Sequence, residues 1–353
     1  MKKNGLEYLQ GYLTGKSYTS SDVNSMFNEK FDVVVLTSSW DQRCIEITKA
    51  KRLKSHIVIP VLFDQRDPIG LRDIHDPMII NYSEACGKTV LVKGSSLKIA
   101  QLWAELSGKL KAAYVQLGKQ LRVMIDISCC PRYYILAILS LVLKSKMASS
   151  VTFFYTEGKY PQKTKGEEEI AFSGERWKAI AVPGFEGEYS PSKRRFYLVS
   201  AGFEGWKALR AVSKADPDRV SMLMPEPGVR AEYIERTKND NVNLINEYLI
   251  PPKQIVCAEA GDIISAWKAL GNQNLDRPDT ENSYYLCCGT KPHAVALGLR
   301  ALVLGYPTVL YALPDEHKFV RVESAGKYWR CDITDLTAMP LESQVRNSTG
   351  EED

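Results

Sequence analysis

The chain has 353 residues, 44% hydrophobic and 25% charged, the balance of an ordinary soluble globular protein, and its length suggests two domains, each with its own core. A formal net charge of +4 is too small to argue for nucleic-acid binding by itself, though it would not repel a phosphate ligand. The basic runs "KAKRLK" (Lys49 to Lys54) and "KRR" (Lys193 to Arg195) are read as solvated faces.

In chain order, "FDVVVLTSS" (Phe31 to Ser39) predicts a buried strand and Asp41 to Leu53 a helix. Strands follow at "HIVIPVLFD" (His56 to Asp64) and "KTVLVK" (Lys88 to Lys93), with no element assigned between Asp73 and Lys88. Ser96 to Leu117 reads as a long helix, "LRVMIDI" (Leu121 to Ile127) as a strand, Arg132 to Lys146 as a helix and "SVTFFYT" (Ser150 to Thr156) as a strand. The apolar part of the Arg132 helix, Tyr133 to Leu143, is about half of the roughly 20 residues a membrane span needs. From Glu157 to Ser192 the pattern breaks into Gly, Pro and charge, a linker with one short strand near "WKAIAVP".

The alternation then resumes. Strands are predicted at Arg195 to Gly202, Asp218 to Gly228, Gln254 to Ala258, Ser283 to Cys288 and Pro307 to Leu313. Helices are predicted at Gly205 to Lys214, Ala231 to Tyr248, Asp262 to Leu270 and Pro292 to Leu304. "KFVRVES" and "KYWRCDI" read as a closing hairpin, and the polar tail as disordered. Apolar strands alternating with helices indicate mainly parallel sheets covered on both faces. The expected architecture is α/β, with two tandem Rossmann-like halves and a C-terminal β-hairpin. Its predicted parts are a first domain over 1–160, a linker over 161–194, a second domain over 195–340 and a tail over 341–353.

The halves read as an internal duplication. "VLTSSWDQR" (Val35 to Arg43) lies on "LVSAGFEGW" (Leu198 to Trp206) without a gap, placing Trp40 on Phe203 and Asp41 on Glu204. "CCPRYYILAILSLVL" (Cys129 to Leu143) lies on "TKPHAVALGLRALVL" (Thr290 to Leu304) at a similar offset. Each half thus has a small-residue loop after its first strand and another after its penultimate strand. In open parallel sheets ligands sit outside the carboxyl ends of the strands, where helix N-termini present N–H groups and a positive dipole end.

The segment "YYLCCGTKPHAVALGLRAL" (Tyr284 to Leu302) resembles the "GGTKxM" stretch of CARF domains, Rossmann-like sensors of cyclic oligoadenylates, and of their SAVED relatives. The match is short: Gly289, Thr290 and Lys291, with Cys288 where the family often has its first glycine, and "DISCCPR" in the first half in place of the triplet. The resemblance implies a cytoplasmic, antiviral-defence sensor or adaptor that binds a nucleotide or cyclic oligonucleotide and signals to a separate effector protein, with homo-oligomers common in the family. It also implies ligand-facing loops at Ser38, Ser39, Trp40 and Asp41, at Ala201, Gly202, Phe203 and Glu204, and at Gly289, Thr290 and Lys291.

Individual residues admit plainer readings. Lys291 and Arg132 each stand at a helix start, where a cation is unfavourable unless an anion is bound; a solvated lysine and a structural ion pair are the rivals. Asp126, beside Ser128, ends an apolar strand and must be paired if buried. Asp41 and Glu204 could cap helices rather than bind ribose, and Trp40 and Phe203 could be core rather than base-stacking residues. Arg66, Arg72 and Arg230 could cap a pocket or lie in surface loops. The eight cysteines show no zinc spacing, and neither a metal nor a cofactor is expected. Cys129 or Cys130 with His293 would be the one nucleophile–base pair to consider. The N-terminus lacks a signal-peptide core, so a reduced cytoplasmic protein is expected. Two other functions stay open. One is a nucleotide-processing enzyme on the same scaffold, a phosphodiesterase or an NAD or nucleoside hydrolase with Asp41, Asp126 or Glu204 as base. The other is a non-catalytic scaffold in a defence or RNA-processing complex.

Overall fold

The structure, a computed structural model, describes residues 11–64, 67–161, 171–271 and 275–336. Two compact units divide the described residues: Thr14–Trp177 with residues 314–336, and Lys178–Leu313.

The first unit opens with strand β1 (Leu13–Thr19) and β2 (Lys30–Ser38), then a 3-10 helix (Gln42–Lys49), β3 (Lys54–Phe63) and α1 (Leu71–Cys86). Short strands β4 (Lys88–Thr89) and β5 (Val92–Gly94) lead into α2 (Ile99–Leu117), β6 (Leu121–Asp126), α3 (Arg132–Lys144) and β7 (Ala148–Lys159). The second unit runs β8 (Trp177–Ala181), β9 (Arg194–Ser200), α4 (Gly205–Ala215), β10 (Arg219–Pro225), α5 (Ala231–Glu247), β11 (Ile255–Ala258), α6 (Ile263–Gly271), β12 (Glu281–Cys287), α7 (Lys291–Leu304) and β13 (Thr308–Pro314). The last strand, β14 (Glu323–Ile333), belongs to the first sheet.

The sheet orders are β1-β14-β7-β6-β2-β3-β4, with β5 also on β3, and β11-β10-β9-β12-β13-β8. Superposing β2 on β9, β3 on β10, β6 on β12 and β7 on β13 gives the same central order in both, and these neighbours pair in parallel. The predicted two-half Rossmann-like α/β architecture is therefore the observed one. Its central strands are buried on both faces: every residue of β2 after Lys30 is buried, as a strand covered by helices on both sides must be. The helices α3 and α7 are buried on nearly all sides, in keeping with their all-round apolar sequences. Among the described residues no helix is long and apolar enough to cross a membrane.

Four expectations are corrected. The segment after β2 is a 3-10 helix, opened by Asp41, whose carboxylate accepts the Arg43 N–H. The unassigned stretch before Lys88 holds α1, whose buried His75, Ile79, Tyr82, Ser83 and Cys86 follow one helical face. Lys88 to Lys93 is split into two short strands. The closing hairpin does not form: residues 318–322 are not a strand, and β14 instead pairs antiparallel with β7, from Ile333 on Val151 to Tyr328 on Thr156. That pairing moves the C-terminal stretch out of the predicted 195–340 domain and into the first unit. It satisfies the β7 edge on the side away from β6, and it buries Tyr328 and Ile333 in the first core. Likewise β8, inside the predicted linker, is a strand of the second sheet. Residues 162–170 of that linker and the predicted tail lie outside the described residues.

At the amino edge of the first sheet, buried Asp32 accepts a hydrogen bond from the Arg122 N–H at 2.9 Å and pairs with the Lys119 ammonium at 2.8 Å. Burial would raise its pKa, but these bonds outweigh it and hold the carboxyl below its ordinary value. A carboxylate so depressed stabilises the fold at pH values above its unfolded pKa and loses that contribution as pH falls through the folded one. Asp32→Asn is therefore expected to lower the thermal midpoint at pH 7. The gap from wild type should persist down to about pH 4 and close below it, as followed by circular dichroism melts across pH.

Candidate functional site

In the second sheet the chain leaves β9 toward β10 on one side, and β12 lies on the other. The connections therefore diverge at the carboxyl ends of β9 and β12, the place where open α/β sheets form a crevice. Ser200 and Cys287 end these strands in register. Beyond them, the loops Ala201–Glu204 and Cys288–Thr290 lead into α4 and α7.

The two loops touch. The Gly289 N–H donates to Ser200 Oγ at 2.9 Å. A Cβ at Gly289 would lie 2.1 Å from that oxygen and 2.5 Å from the Ala201 carbonyl oxygen, and one at Gly202 would lie 2.3 Å from the Cys288 carbonyl oxygen. Only glycine permits this approach. Asn241 on α5 fixes the same loop by donating to the Gly202 carbonyl at 2.8 Å. Thr290 caps α7, its hydroxyl accepting from the His293 N–H at 3.3 Å, and Lys291 and Pro292 form the first turn. Helix α7 is pinned from behind by a buried cluster. Arg300 donates to Asp276 at 2.6 Å, and Tyr285 of β12 donates to the same carboxylate at 2.8 Å. Removing one partner of such a buried pair costs roughly 3–5 kcal/mol, so the helix start is firmly placed.

Ala201 and Gly289 are buried in this contact, while Gly202, Phe203, Glu204, Thr290 and Lys291 are half-buried. Phe203 meets the Tyr233 ring edge-on at 5.7 Å, and the Arg236 guanidinium stands 4.5 Å from its centroid. Glu204 pairs with the buried Lys207 at 2.5 Å. Arg230 pairs with Glu232 on the surface.

The equivalent edge of the first unit is filled. Ser38, Ser39, Trp40, Asp41, Asp126 and Ser128 are all buried. Ser38 donates to Asp76 at 2.6 Å, and Asp76 also takes Arg72 at 2.8 Å, which brings Arg72 beside this edge. Asp41 accepts the Arg43 backbone N–H and grips its guanidinium through Nε at 3.0 Å and Nη2 at 2.5 Å. Asp126 accepts the Ser128 N–H at 2.8 Å, and Ser128 Oγ accepts the Thr156 N–H at 2.9 Å. Arg132 is half-buried at the first position of α3. The stretch before β14 runs across this edge: Phe319 packs on Trp40 at 5.8 Å, and the Gln42 N–H donates to the Val322 carbonyl. Here Trp40 is a core residue and Asp41 a cap and ion-pair partner. Arg66 lies outside the described residues.

Sequence reasoning missed Arg43, although it stands two residues from Asp41. It also did not single out Cys44 or His75. His293 is wholly buried in the second unit, with Nε2 3.2 Å from the Glu259 carbonyl oxygen, and burial pushes its pKa down to about 4. The pair that forms is Cys44 with His75, Sγ to Nδ1 at 3.5 Å. Among the described residues no cluster of His, Cys, Asp and Glu is arranged to hold a metal ion.

No family model matches the chain, and no curated protein matches it. Among solved structures, the cytoplasmic domain of a prokaryotic cation chloride cotransporter aligns at 10% identity and a TM-score of 0.24, over 82% of this chain and 98% of that one. A universal stress protein from Archaeoglobus fulgidus DSM 4304 aligns at 10% identity and a TM-score of 0.20, over 80% and 96%. Likenesses at this level carry no argument about function.

The glycine contact gives a direct test. Gly289→Ala and Gly202→Ala should each destabilise the fold by about 1–3 kcal/mol, since backbone must shift to admit the Cβ. Gly108→Ala, in α2 where a Cβ meets nothing within 4 Å, should stabilise it by about 0.5–1 kcal/mol. Chemical denaturation midpoints read both.

Proposed function

We propose that this protein is a sensor or adaptor that binds a nucleotide second messenger, of the cyclic oligonucleotide class, at the carboxyl edge of the second unit and signals to an effector. The observation that carries this reading is the half-exposed loop pair at the switch in strand order, closed by Gly202 and Gly289, with Lys291 opening α7. A phosphate there would meet the positive end of a fourteen-residue helix and the Lys291 ammonium together. The short resemblance of Gly289, Thr290 and Lys291 to the CARF motif supports the same ligand class.

The first unit does not enter this reading as a second site, because its equivalent side chains are spent on one another and on the stretch that includes Phe319. The proposed division is one ligand-facing edge and one structural edge.

A thermal-shift screen against cyclic di-, tri- and tetranucleotides, linear oligoadenylates, NAD and ATP tests it. One cyclic class should raise the melting temperature, by an amount equivalent to roughly 2.7 kcal/mol at a hundredfold excess over Kd. Lys291→Ala should abolish the shift, whereas Arg132→Ala should retain it. A flat response to every compound would overturn the reading. Conversion of the bound nucleotide, followed by chromatography, would favour the nucleotide-processing enzyme instead.

A further inference from the structure

We propose that Cys44 and Cys129 form a redox pair, in which a hydroperoxide oxidises Cys44 and Cys129 resolves it as an intrachain disulfide. Cys44 lies on the 3-10 helix after β2, and Cys129 lies on the loop after β6. The neighbouring strands bring the two together from distant parts of the sequence. They converge on one acceptor, the Asp41 carbonyl oxygen, which takes the Cys44 backbone N–H at 3.1 Å and the Cys129 thiol from the other loop. Cys129 Sγ stands 3.7 Å from that oxygen, and Cys44 Sγ stands 3.4 Å from the Ser39 carbonyl oxygen.

The third member is His75 on α1. Its Nδ1 is 3.5 Å from Cys44 Sγ and 2.8 Å from the Ser39 carbonyl oxygen, so its proton is shared between sulfur and carbonyl. Burial works against ionising Cys44, yet the neighbouring Cys129 and His75 prevail and bring the thiol down to about 6. The same contact raises His75 against its own burial. Cys129 is shifted the opposite way, upward, first by burial and then by Cys44. One sulfur is thus poised as thiolate and its neighbour as thiol, the division of labour that attack and resolution require. Cys44 is fully buried, while Cys129 is half-buried.

The steps balance. The Cys44 thiolate attacks one peroxide oxygen, the O–O bond breaks, and a sulfenic acid and hydroxide result. The Cys129 sulfur then attacks the Cys44 sulfur, the S–O bond breaks, and the hydroxide leaving group takes the Cys129 proton as water. Two thiols and one hydrogen peroxide yield one disulfide and two waters. The bond would tie the segment after β2 to the segment after β6, the two connections that flank the first unit's carboxyl edge. This inference stands independently of the ligand proposal.

The test treats the reduced full-length protein with hydrogen peroxide, blocks residual thiols with N-ethylmaleimide and maps non-reduced peptides by mass spectrometry. A peptide pair joining Cys44 to Cys129, released by dithiothreitol, is the expected result. Cys129→Ser should stop at a sulfenic acid on Cys44 that dimedone traps, and His75→Gln should slow Cys44 oxidation roughly tenfold or more. The wild-type map needs no variant to fold. All eight cysteines recovered as thiols, or a linkage that leaves out Cys44 or Cys129, would overturn the proposal.

Discussion

Two glycines let the backbone that follows β9 rest on the backbone that follows β12, and the carboxyl edge of the second unit is arranged around that contact. With a Cβ at either position the loops would have to separate, and the Gly289 N–H would lose Ser200. The contact sets where α7 begins. The buried cluster of Arg300, Asp276 and Tyr285 holds the rest of that helix against the sheet. A helix start placed so rigidly can present a charge in a fixed direction, which a flexible lysine on a mobile loop could not.

The first unit shares the strand order and spends it differently. Its small-residue loop carries serines and an aspartate whose hydrogen-bonding capacity goes into local bonds: Ser39 to the Asp41 N–H, Asp41 to Arg43, Asp126 to the Ser128 N–H. Buried polar groups must be paired, and here the pairs are made within the chain. The stretch that reaches β14 adds Phe319 on Trp40. The two units share the frame while their edges differ: one is packed with side chains and the other remains half-exposed.

Much of this frame was legible in the sequence. Continuous apolar runs such as "VVVL" in β2 and "VMI" in β6 have one stable use, a strand covered on both sides, and the repeated loop-then-helix pattern pointed to two halves of like strand order. The failures have physical causes. Helix α1 escaped because Gly70 precedes it and Pro77 interrupts it, although its buried positions keep a helical period. The strand β14 was read as half of a hairpin because alternation shows that a segment is a strand but not which strand it joins. Only the unpaired β7 edge decides that. At the sites, Gly289, Thr290 and Lys291 were found by motif. The partnership of Cys44 with His75 was invisible, since it depends on α1 being a helix and on β2 ending where it does.

Hydrogen–deuterium exchange with and without a saturating mixture of cyclic di-, tri- and tetra-adenylate addresses the central claim most directly, because it reports location as well as binding. The account predicts slower exchange in peptides covering 200–207 and 288–294, with 38–44 and 126–132 unchanged. Protection confined to the first unit's loops, or absent from both, would contradict it.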